Sequence, residues 1–262
     1  MSGRLRHLAC GRTSHDLARL FDGGASGLRS FPAGVFLYER GDLRVLFDTG
    51  YPTGPWRTGW RGAAYRRLLP PVVSDADDIA AVLRAEGVDP ASVTHVVLSH
   101  LHPDHIGGVR RFPGACFVLT AGQLRTLRRA SLRSGLLPGL IPEWFQHVDR
   151  IVLDEDDFRA FTVGGVALRA AQPLGDGFVI LDLPGHADGH IGALVEGKVL
   201  LAGDAAWGAD LLGSADRLRR LPALVQHDID AYSRTAALLA DAADAGLEVV
   251  CSHDPVRRRE LL

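Results

Sequence analysis

Four potential metal ligands lie within six residues of one loop, and this cluster limits the possible folds more than any other feature of the sequence. The segment SHLHPDHIGG contains His100, His102, Asp104 and His105, and it directly follows the apolar run THVVLS, which predicts a buried β-strand. In an extended segment alternate side chains point the same way, so His100 and His102 can converge on one ion. A turn at Pro103 directs Asp104 and His105 elsewhere. The sequence therefore predicts a metal-binding loop at the end of a strand.

Three further candidate ligands follow predicted strands later in the chain. They are His186 in LPGHADGH, Asp204 in LLAGDAAW and His253 in VVCSHD. Any one of them, taken alone, is typical of a turn or cap residue. Together with the loop they predict one site, and imidazole nitrogen with carboxylate oxygen suits zinc, with iron, manganese or nickel also compatible.

The order of these motifs, an HxHxDH loop followed by a GH, a GD and a terminal His, resembles the metallo-β-lactamase fold superfamily of hydrolases over residues 34–254. The resemblance implies an α/β protein, an αββα sandwich with its metals at one edge. It also implies the role of each ligand. The first metal would be held by His100, His102 and His186, and the second by Asp104, His105 and His253. Asp204 would bridge the two metals. No ligand of the family pattern is missing.

A complete ligand set predicts two divalent ions, for which Zn²⁺ is our first choice. Metals about 3.5–4 Å apart can share a water whose pKa falls towards neutrality, so that hydroxide can attack the carbonyl of a lactone or related ester. One metal would also polarise that carbonyl. Asp104 is predicted to carry a proton to the leaving alkoxide. With the bridging Asp204, it makes up the predicted catalytic pair.

Three more residues are predicted to support the ligands, because ligand imidazoles usually donate their second N–H to a carboxylate or carbonyl. Asp48, in LFDTG, is expected to orient a ligand ring, with an Asx turn as the alternative. Asp254 is expected either to orient the ring of His253 or to cap the tail. His190, the second histidine of GHADGH, is expected to be structural.

Within the superfamily the chain is most similar to the acyl-homoserine-lactone lactonase-like branch, in its size, its short tail after His253 and the phrase GHADGHIGALVEG. Those lactonases usually have a tyrosine three residues after the bridging aspartate, where this sequence has Trp207. Indole donates a hydrogen bond but cannot act as a phenol. We therefore predict a lactonase-like or esterase-like hydrolase, with a thioesterase and a non-catalytic metal- or ligand-binding scaffold as the alternatives.

The predicted substrate is a small acyl compound held by apolar segments outside the sandwich, at 51–73, 131–147 and 207–223. The aromatic candidates for this pocket are Tyr51, Trp144, Phe145 and Trp207. A hydrophobic lid packed on the core, or a contact in a homodimer, is the alternative for 131–147.

Composition excludes other partners. The 29 basic and 31 acidic residues give a net charge of −2, which leaves no positive excess to bind nucleic acid. Three cysteines in 262 residues are too few for a disulfide framework. No run of about 18 apolar residues is present. We therefore expect a cytoplasmic protein that binds neither nucleic acid nor membrane.

Hydrophobic periodicity predicts two series of strands, each followed by a helix, and hence one domain with pseudo-duplicated halves. Residues 1–33 are expected to pack, as an N-terminal segment, on a hydrolase domain at 34–262. A hairpin is expected within 34–50, and a helix from near Ser74 or Asp77 to Gly87. The remaining predicted elements are strands at 94–99, 116–120, 148–153, 161–169, 177–182, 190–195, 198–204 and 247–252, an amphipathic stretch at 123–133 and a helix at 230–245.

Overall fold

The computed structural model describes residues 3–256 and 259–262, and within these residues twelve strands form two six-stranded sheets. The first sheet contains, in spatial order, β1 (Arg4–Asp16), β2 (Leu28–Arg40), β3 (Leu43–Phe47), β4 (His95–Val97), β5 (Cys116–Thr120) and β6 (Arg150–Leu153). The second contains β7 (Arg159–Val163), β8 (Val166–Ala171), β9 (Phe178–Asp182), β10 (Ile191–Val195), β11 (Val199–Gly203) and β12 (Glu248–Cys251). Each sheet follows the chain order, so the two halves repeat one architecture.

The pairing direction places several strand ends together. In the first sheet β1 to β3 pair antiparallel and β3 to β6 pair parallel. In the second sheet all neighbours pair antiparallel except β11 and β12, which are parallel. Consequently β9, β11 and β12 run the same way, and so do β3 and β4.

The helices cover the outer faces of the two sheets. They are α1 (Leu17–Leu20), α2 (Gly59–Leu68), α3 (Ile79–Ala85), α4 (Pro103–Ile106), α5 (Ala121–Arg128), α6 (Arg220–Leu224) and α7 (Ile229–Asp244). Among the described residues, no helix combines the length and the apolar character needed to cross a membrane.

Alternation along the central strands divides the apolar residues between separate cores. On β2, Phe36 and Tyr38 face the space between the sheets, whereas Val35 and Leu37 pack with α3 on the outer face. On β11, Leu201 likewise faces the inner core, while its neighbours pack towards α7. The result is the predicted αββα layering in one domain.

Most predicted elements are confirmed within two or three residues, including the hairpin of β2 and β3 and the long helix α7. The predicted strand at 161–169 is wrong, because Gly164 and Gly165 adopt positive φ and turn the chain between β7 and β8. The helix predicted from Ser74 or Asp77 begins later, with the Asp78 carboxylate accepting from the N–H of Ala80.

Two elements lie where the sequence predicted none. β1 is an edge strand whose register shifts between Ala9 and Arg12, so its apolar residues do not alternate regularly. The boundary predicted at residue 33 falls inside β2, and the N-terminal segment thus belongs to the first sheet. The second element is α2, which occupies the middle of the segment 51–73 predicted to be irregular.

His7, on β1, is a buried histidine whose contacts are almost entirely apolar. It is 2% exposed and stacks on Phe36 with ring centroids 4.5 Å apart. Its Nε2 has no hydrogen-bond partner among residues 3–256 and 259–262. Burial lowers the pKa of His7 to about 4, so the folded chain holds this ring neutral.

This burial predicts an acid-dependent loss of stability. The unfolded chain protonates His7 below its ordinary pKa of 6.5, whereas the folded chain does not until about pH 4. The contribution of the neutral His7 ring to the free energy of unfolding is therefore fully present above pH 6.5. It falls by about 2 kcal/mol as the pH is lowered to 5. We expect His7→Gln to remove that part of the pH dependence, measured as the free energy of unfolding in urea at pH 7 and pH 5. His147→Gln, at an exposed position, is the matched control; identical pH dependence in wild type and His7→Gln would contradict the prediction.

Candidate metal centre

The predicted ligands meet at one edge of the sandwich because parallel strands end there. The loop with His100 follows β4, next to the end of β3. From the second sheet, His186 follows β9, Asp204 follows β11 and His253 follows β12, the three strands that run in one direction. Loops at the carboxyl ends of such strands are where α/β proteins build their sites.

The side chains form two groups. In the first, His100, His102, His186 and Asp204 each offer one ligand atom, and these atoms lie within 4.8 Å of one another. His102 presents Nδ1, which is 3.1 Å from Nε2 of His186. The second group consists of Asp104, His105 and His253, whose ligand atoms also lie within 4.8 Å of one another.

Asp204 lies between the two groups. Its carboxylate oxygens are 3.5 Å from Nε2 of His186 and 4.0 Å from Nε2 of His100, in the first group. They are also 3.4 Å from Nε2 of His105 and 3.1 Å from Nε2 of His253, in the second. This is the position that a bridging ligand requires.

Hydrogen bonds to Nδ1 orient four of the rings so that Nε2 faces the cluster. The partners are Ser99 Oγ at 3.0 Å for His100, Asp48 Oδ2 at 2.8 Å for His105, Gln226 Oε1 at 2.8 Å for His186 and the carbonyl of Pro32 at 2.8 Å for His253. Such partners hold a ligand ring in one direction and select its tautomer. The sequence analysis identified Asp48 but missed Gln226, Ser99 and the carbonyl of Pro32. A backbone carbonyl and a residue forty positions from its histidine leave no local signal in the sequence.

Asp48 is fully buried, and its backbone adopts a left-handed conformation with φ of 62°. Its Oδ1 accepts from the N–H of Ser99 at 2.7 Å, and its Oδ2 accepts from Ser99 Oγ at 2.7 Å and from His105 Nδ1. Aspartate and asparagine are the non-glycine residues that tolerate this backbone region best. The carboxylate thus holds the strand end and a candidate ligand ring together.

His190 and Asp254 act on the backbone beside the ligands. His190 donates from Nδ1 to the carbonyl of Leu183 at 2.8 Å, and its Nε2 accepts from the N–H of Asp204 at 3.1 Å. Burial lowers the pKa of His190 to about 4, which matches a neutral ring that accepts at Nε2. Asp254 accepts from the N–H groups of Cys251 and Ala209. Of the two predictions for Asp254, the contacts favour the cap, since the ring of His253 is held by a carbonyl instead.

The donor atoms fit a cation because several are buried without partners. Within the described parts of the chain, His100 Nε2, His105 Nε2 and Asp204 Oδ1 have no hydrogen-bond partner. Unsatisfied buried polar atoms destabilise a fold, typically by 1–3 kcal/mol each, unless they bind something. Imidazole nitrogens and carboxylate oxygens converging at these distances are the donor set of zinc and related divalent metals.

The charges in the cluster also favour cations. Burial lowers the pKa of His100 and His186 well below the ordinary value, leaving both rings neutral and able to bind a metal. Burial acts against ionisation of Asp204, but His253 and His105 outweigh it and hold its pKa well below the usual range. Burial acts to lower the pKa of His253. The negative charges of Asp204 and Asp104 outweigh this effect and raise the pKa of His253 to about 9. The carboxylates therefore attract positive charge, which a divalent ion can supply in place of protons.

Two of the four predicted pocket aromatics, Phe145 and Trp144, pack in the core outside the first sheet. Phe145 is 2% exposed and packs edge-on against Phe117 of β5 at 4.9 Å, and Trp144 packs in the same core. These contacts favour the alternative for 131–147, a segment packed on the core; a role of Trp144 and Phe145 against substrate stays a prediction. Apolar side chains in a short loop find more burial against the sheet than over an open edge.

Tyr51 and Trp207 differ from each other in their surroundings. Tyr51 is 2% exposed and stacks on Trp56, with its hydroxyl 3.4 Å from that of Tyr65. Trp207 is half-buried and meets Phe21 edge-on with centroids 6.1 Å apart. Its role against substrate stays a prediction.

A cavity of about 330 Å³ opens directly beside the first group of ligands. Leu101, His102 and His186 contribute to its lining, together with residues from the end of α5 and the following loop. A cavity of this size is within the range of small-molecule sites. None of the four predicted pocket aromatics is among its lining residues.

Polar contacts join the two halves of the sandwich next to the cluster. The N–H of Ile191 donates to the carbonyl of Ser99 at 3.0 Å. Thr120 Oγ1 donates to the carbonyl of Gly189 at 2.8 Å, which is a second contact across the halves. Within the first half, Gln123 Nε2 donates to the carbonyls of Leu98 and Ser99 and so holds the loop that makes the first contact. The site is thus built across the seam between the halves.

Comparison with known proteins identifies the family of this chain. The family model described as the metallo-beta-lactamase superfamily matches residues 31–253, which include all seven predicted ligands. The N-acyl homoserine lactonase AttM of Azorhizobium caulinodans is 32% identical over 235 residues, covering 86% of this chain and 82% of that protein. A probable metallo-hydrolase of Mycobacterium bovis is 29% identical over 235 residues, covering 84% and 74%.

Solved structures share the fold. An N-acyl homoserine lactone hydrolase with the product N-hexanoyl-L-homoserine bound at its catalytic metal centre superposes with a TM-score of 0.72 at 19% identity, over 97% of this chain and 94% of that one. AidC, a dizinc quorum-quenching lactonase, gives a TM-score of 0.63 at 17% identity, over 97% and 88%.

Proposed function

The chain belongs to the metallo-beta-lactamase superfamily, and on that premise we propose that it is a dinuclear hydrolase that opens a lactone or a related ester. Its relatives include N-acyl homoserine lactonases, and the predicted family and class of metal-dependent hydrolase are confirmed. The observation that carries the proposal is the carboxylate of Asp204, which lies 3.1–4.0 Å from four imidazole nitrogens of the two groups.

The proposed ligands are those of the two groups, with Zn²⁺ as the proposed metal at both positions. His100, His102 and His186 would hold the first ion. Asp104, His105 and His253 would hold the second, and Asp204 would contact both. The unpartnered buried donor atoms and the oriented Nε2 positions support this assignment.

When bound, divalent cations supply Lewis-acid polarisation of a carbonyl and ionisation of water near neutral pH. The chain's own contribution includes a proton carrier at Asp104, whose Oδ2 is 3.6 Å from His105 Nε2 and 3.7 Å from His253 Nε2. Its side chain is 10% exposed. Asp104 would accept a proton from the attacking water at Oδ2 and return it to the alkoxide oxygen that leaves the ester.

A hydrolysis screen of the zinc-reconstituted protein tests this function. Proton release would be followed with acyl lactones, thioesters, β-lactams and phosphodiesters at equal concentration. We expect turnover of lactones, dependent on added zinc and abolished by a chelator. Turnover of thioesters alone would replace the lactonase by the thioesterase alternative. Stoichiometric zinc binding without turnover of any substrate would overturn the proposed hydrolase in favour of a binding scaffold.

A further inference from the structure

The cavity beside the metal centre has a pronounced basic wall. Three arginines line it, at positions 125, 129 and 133, together with His227. Arg125 is neutralised by Asp188, with Nη2 and Nε at 2.8 and 3.2 Å from its two carboxylate oxygens. Asp188 is the acidic residue among the lining residues, so one arginine is compensated and two are not.

The other two guanidinium groups have no carboxylate partner in the described parts of the chain. The side chain of Arg129 makes no hydrogen bond or ion pair there, and that of Arg133 donates only a long contact of 3.4 Å from Nη2 to the carbonyl of His227. Two unpaired arginines on one wall of a small cavity create a positive field directed into it. A planar guanidinium is also the side chain best suited to binding a carboxylate or phosphate through two hydrogen bonds.

The loop with Arg133 is ordered and close to the candidate ligands. Ser131 and Ser134 exchange hydrogen bonds, each hydroxyl accepting from the other's N–H at 3.1 Å. Gly135, at φ of 66°, packs so tightly on His102 that any side chain there would collide with the ring. His227, whose carbonyl contacts Arg133, donates its own N–H to the carbonyl of His186 at 3.0 Å. The arginines thus line the same cavity as His102 and His186 of the first group of ligands.

We infer that the acyl substrate carries a second, anionic group, a carboxylate or a phosphate, which Arg129 and Arg133 bind while the reacting carbonyl lies at His102 and His186. This inference rests on the proposed function for the position of the carbonyl. It narrows the substrate from a neutral lactone or ester to one whose acyl part ends in an oxyanion. Arg129 and Arg133 are then specificity-determining residues.

Equilibrium binding of product-like acids tests the inference without turnover. Hexanoate, adipate and 6-phosphohexanoate share one carboxylate and one chain length, and differ in whether the far end is apolar, a carboxylate or a phosphate. Calorimetry with zinc-reconstituted protein should show that adipate or 6-phosphohexanoate binds about tenfold more tightly than hexanoate, since hydrogen bonds to charged groups are the strong ones. The better of the two identifies the anion, and the preference should weaken as salt is raised.

Variants assign the preference to this wall. In the double variant Arg129→Gln/Arg133→Gln, the ratio of the hexanoate dissociation constant to that of the preferred diacid, adipate or 6-phosphohexanoate, should fall by about tenfold. Arg84→Gln, on the outer helix α3, is the matched control and should keep the wild-type ratio. Equal affinities for all three acids, or the same ratio in wild type and double variant, would overturn the inference.

The two proposals fail separately. Lactone turnover by a protein that binds the three acids equally would leave the hydrolase standing and remove the anionic subsite. A clear, arginine-dependent preference in a protein that hydrolyses nothing would keep the anion-binding wall and remove the hydrolase.

Discussion

Asp204→Ala is expected to lower kcat/KM for lactone hydrolysis at least about a thousandfold, the scale seen when a group that organises transition-state charge is removed. The carboxylate lies within 4.0 Å of Nε2 atoms from both groups of ligands. Without it, two ions would face each other across the site with no anion between them. We therefore also expect the bound zinc to fall from two ions to one or fewer per chain, measured by elemental analysis after dialysis.

Two further variants make this result interpretable. Asp204→Asn keeps the shape of the side chain but removes its charge, and it should lose zinc in the same way if the charge is what matters. Asp42→Ala, in the exposed turn between β2 and β3, is the matched control and should retain both ions. Full activity in Asp204→Ala with unchanged zinc content would refute the proposed centre.

Asp48→Asn is expected to weaken binding of one zinc ion by about 10- to 100-fold, the usual cost of losing a group that orients a ligand. The carboxylate of Asp48 accepts from both Ser99 and His105, whereas an amide cannot accept at both oxygen positions. With a donor NH₂ opposite its Nδ1, His105 would place its proton on Nε2, the atom that faces the cluster. Asparagine tolerates the left-handed backbone at this position, so the change tests the hydrogen bond and not the backbone.

The zinc titration distinguishes this role from a general structural one. His105 belongs to the second group, so one of two binding steps should weaken while the other keeps its affinity. Competition with a chromophoric chelator measures both steps, and Asp42→Asn serves as the control. Equal weakening of both steps would show that Asp48 supports the fold as a whole and not the ring of His105.

The ligands could be predicted from the sequence because the chemistry is local. Four of the seven stand within six residues, and the other three each follow an apolar strand. The fold could be predicted for a related reason, because strands that are buried on both faces, such as β5 and β11, are short apolar runs in the sequence. Where the pairing is irregular, as on the edge strand β1, no period of apolar residues predicts the strand.

Residues whose roles depend on contacts between distant segments could not be predicted. Gln226 orients His186 only because the chain returns past α6 to the end of β9. Phe145 and Arg133 lie in one loop of mixed composition, and only packing decides that the first enters the core while the second faces the cavity. The direction of a side chain in a loop depends on tertiary contacts, so it cannot be predicted from the spacing of residues along the chain.

The seam between the halves has a consequence for how the molecule holds together. Each group of ligands combines residues from the loop after β4 with residues from the second sheet, so a bound ion closes a chain loop of more than eighty residues. An ion bound in this way acts as a reversible cross-link, and its binding energy is added to the free energy of folding. Removal of the ions by a chelator would therefore weaken the association of the two halves of the sandwich. Ions bound at this edge would thus also make the two halves unfold together, as one cooperative unit.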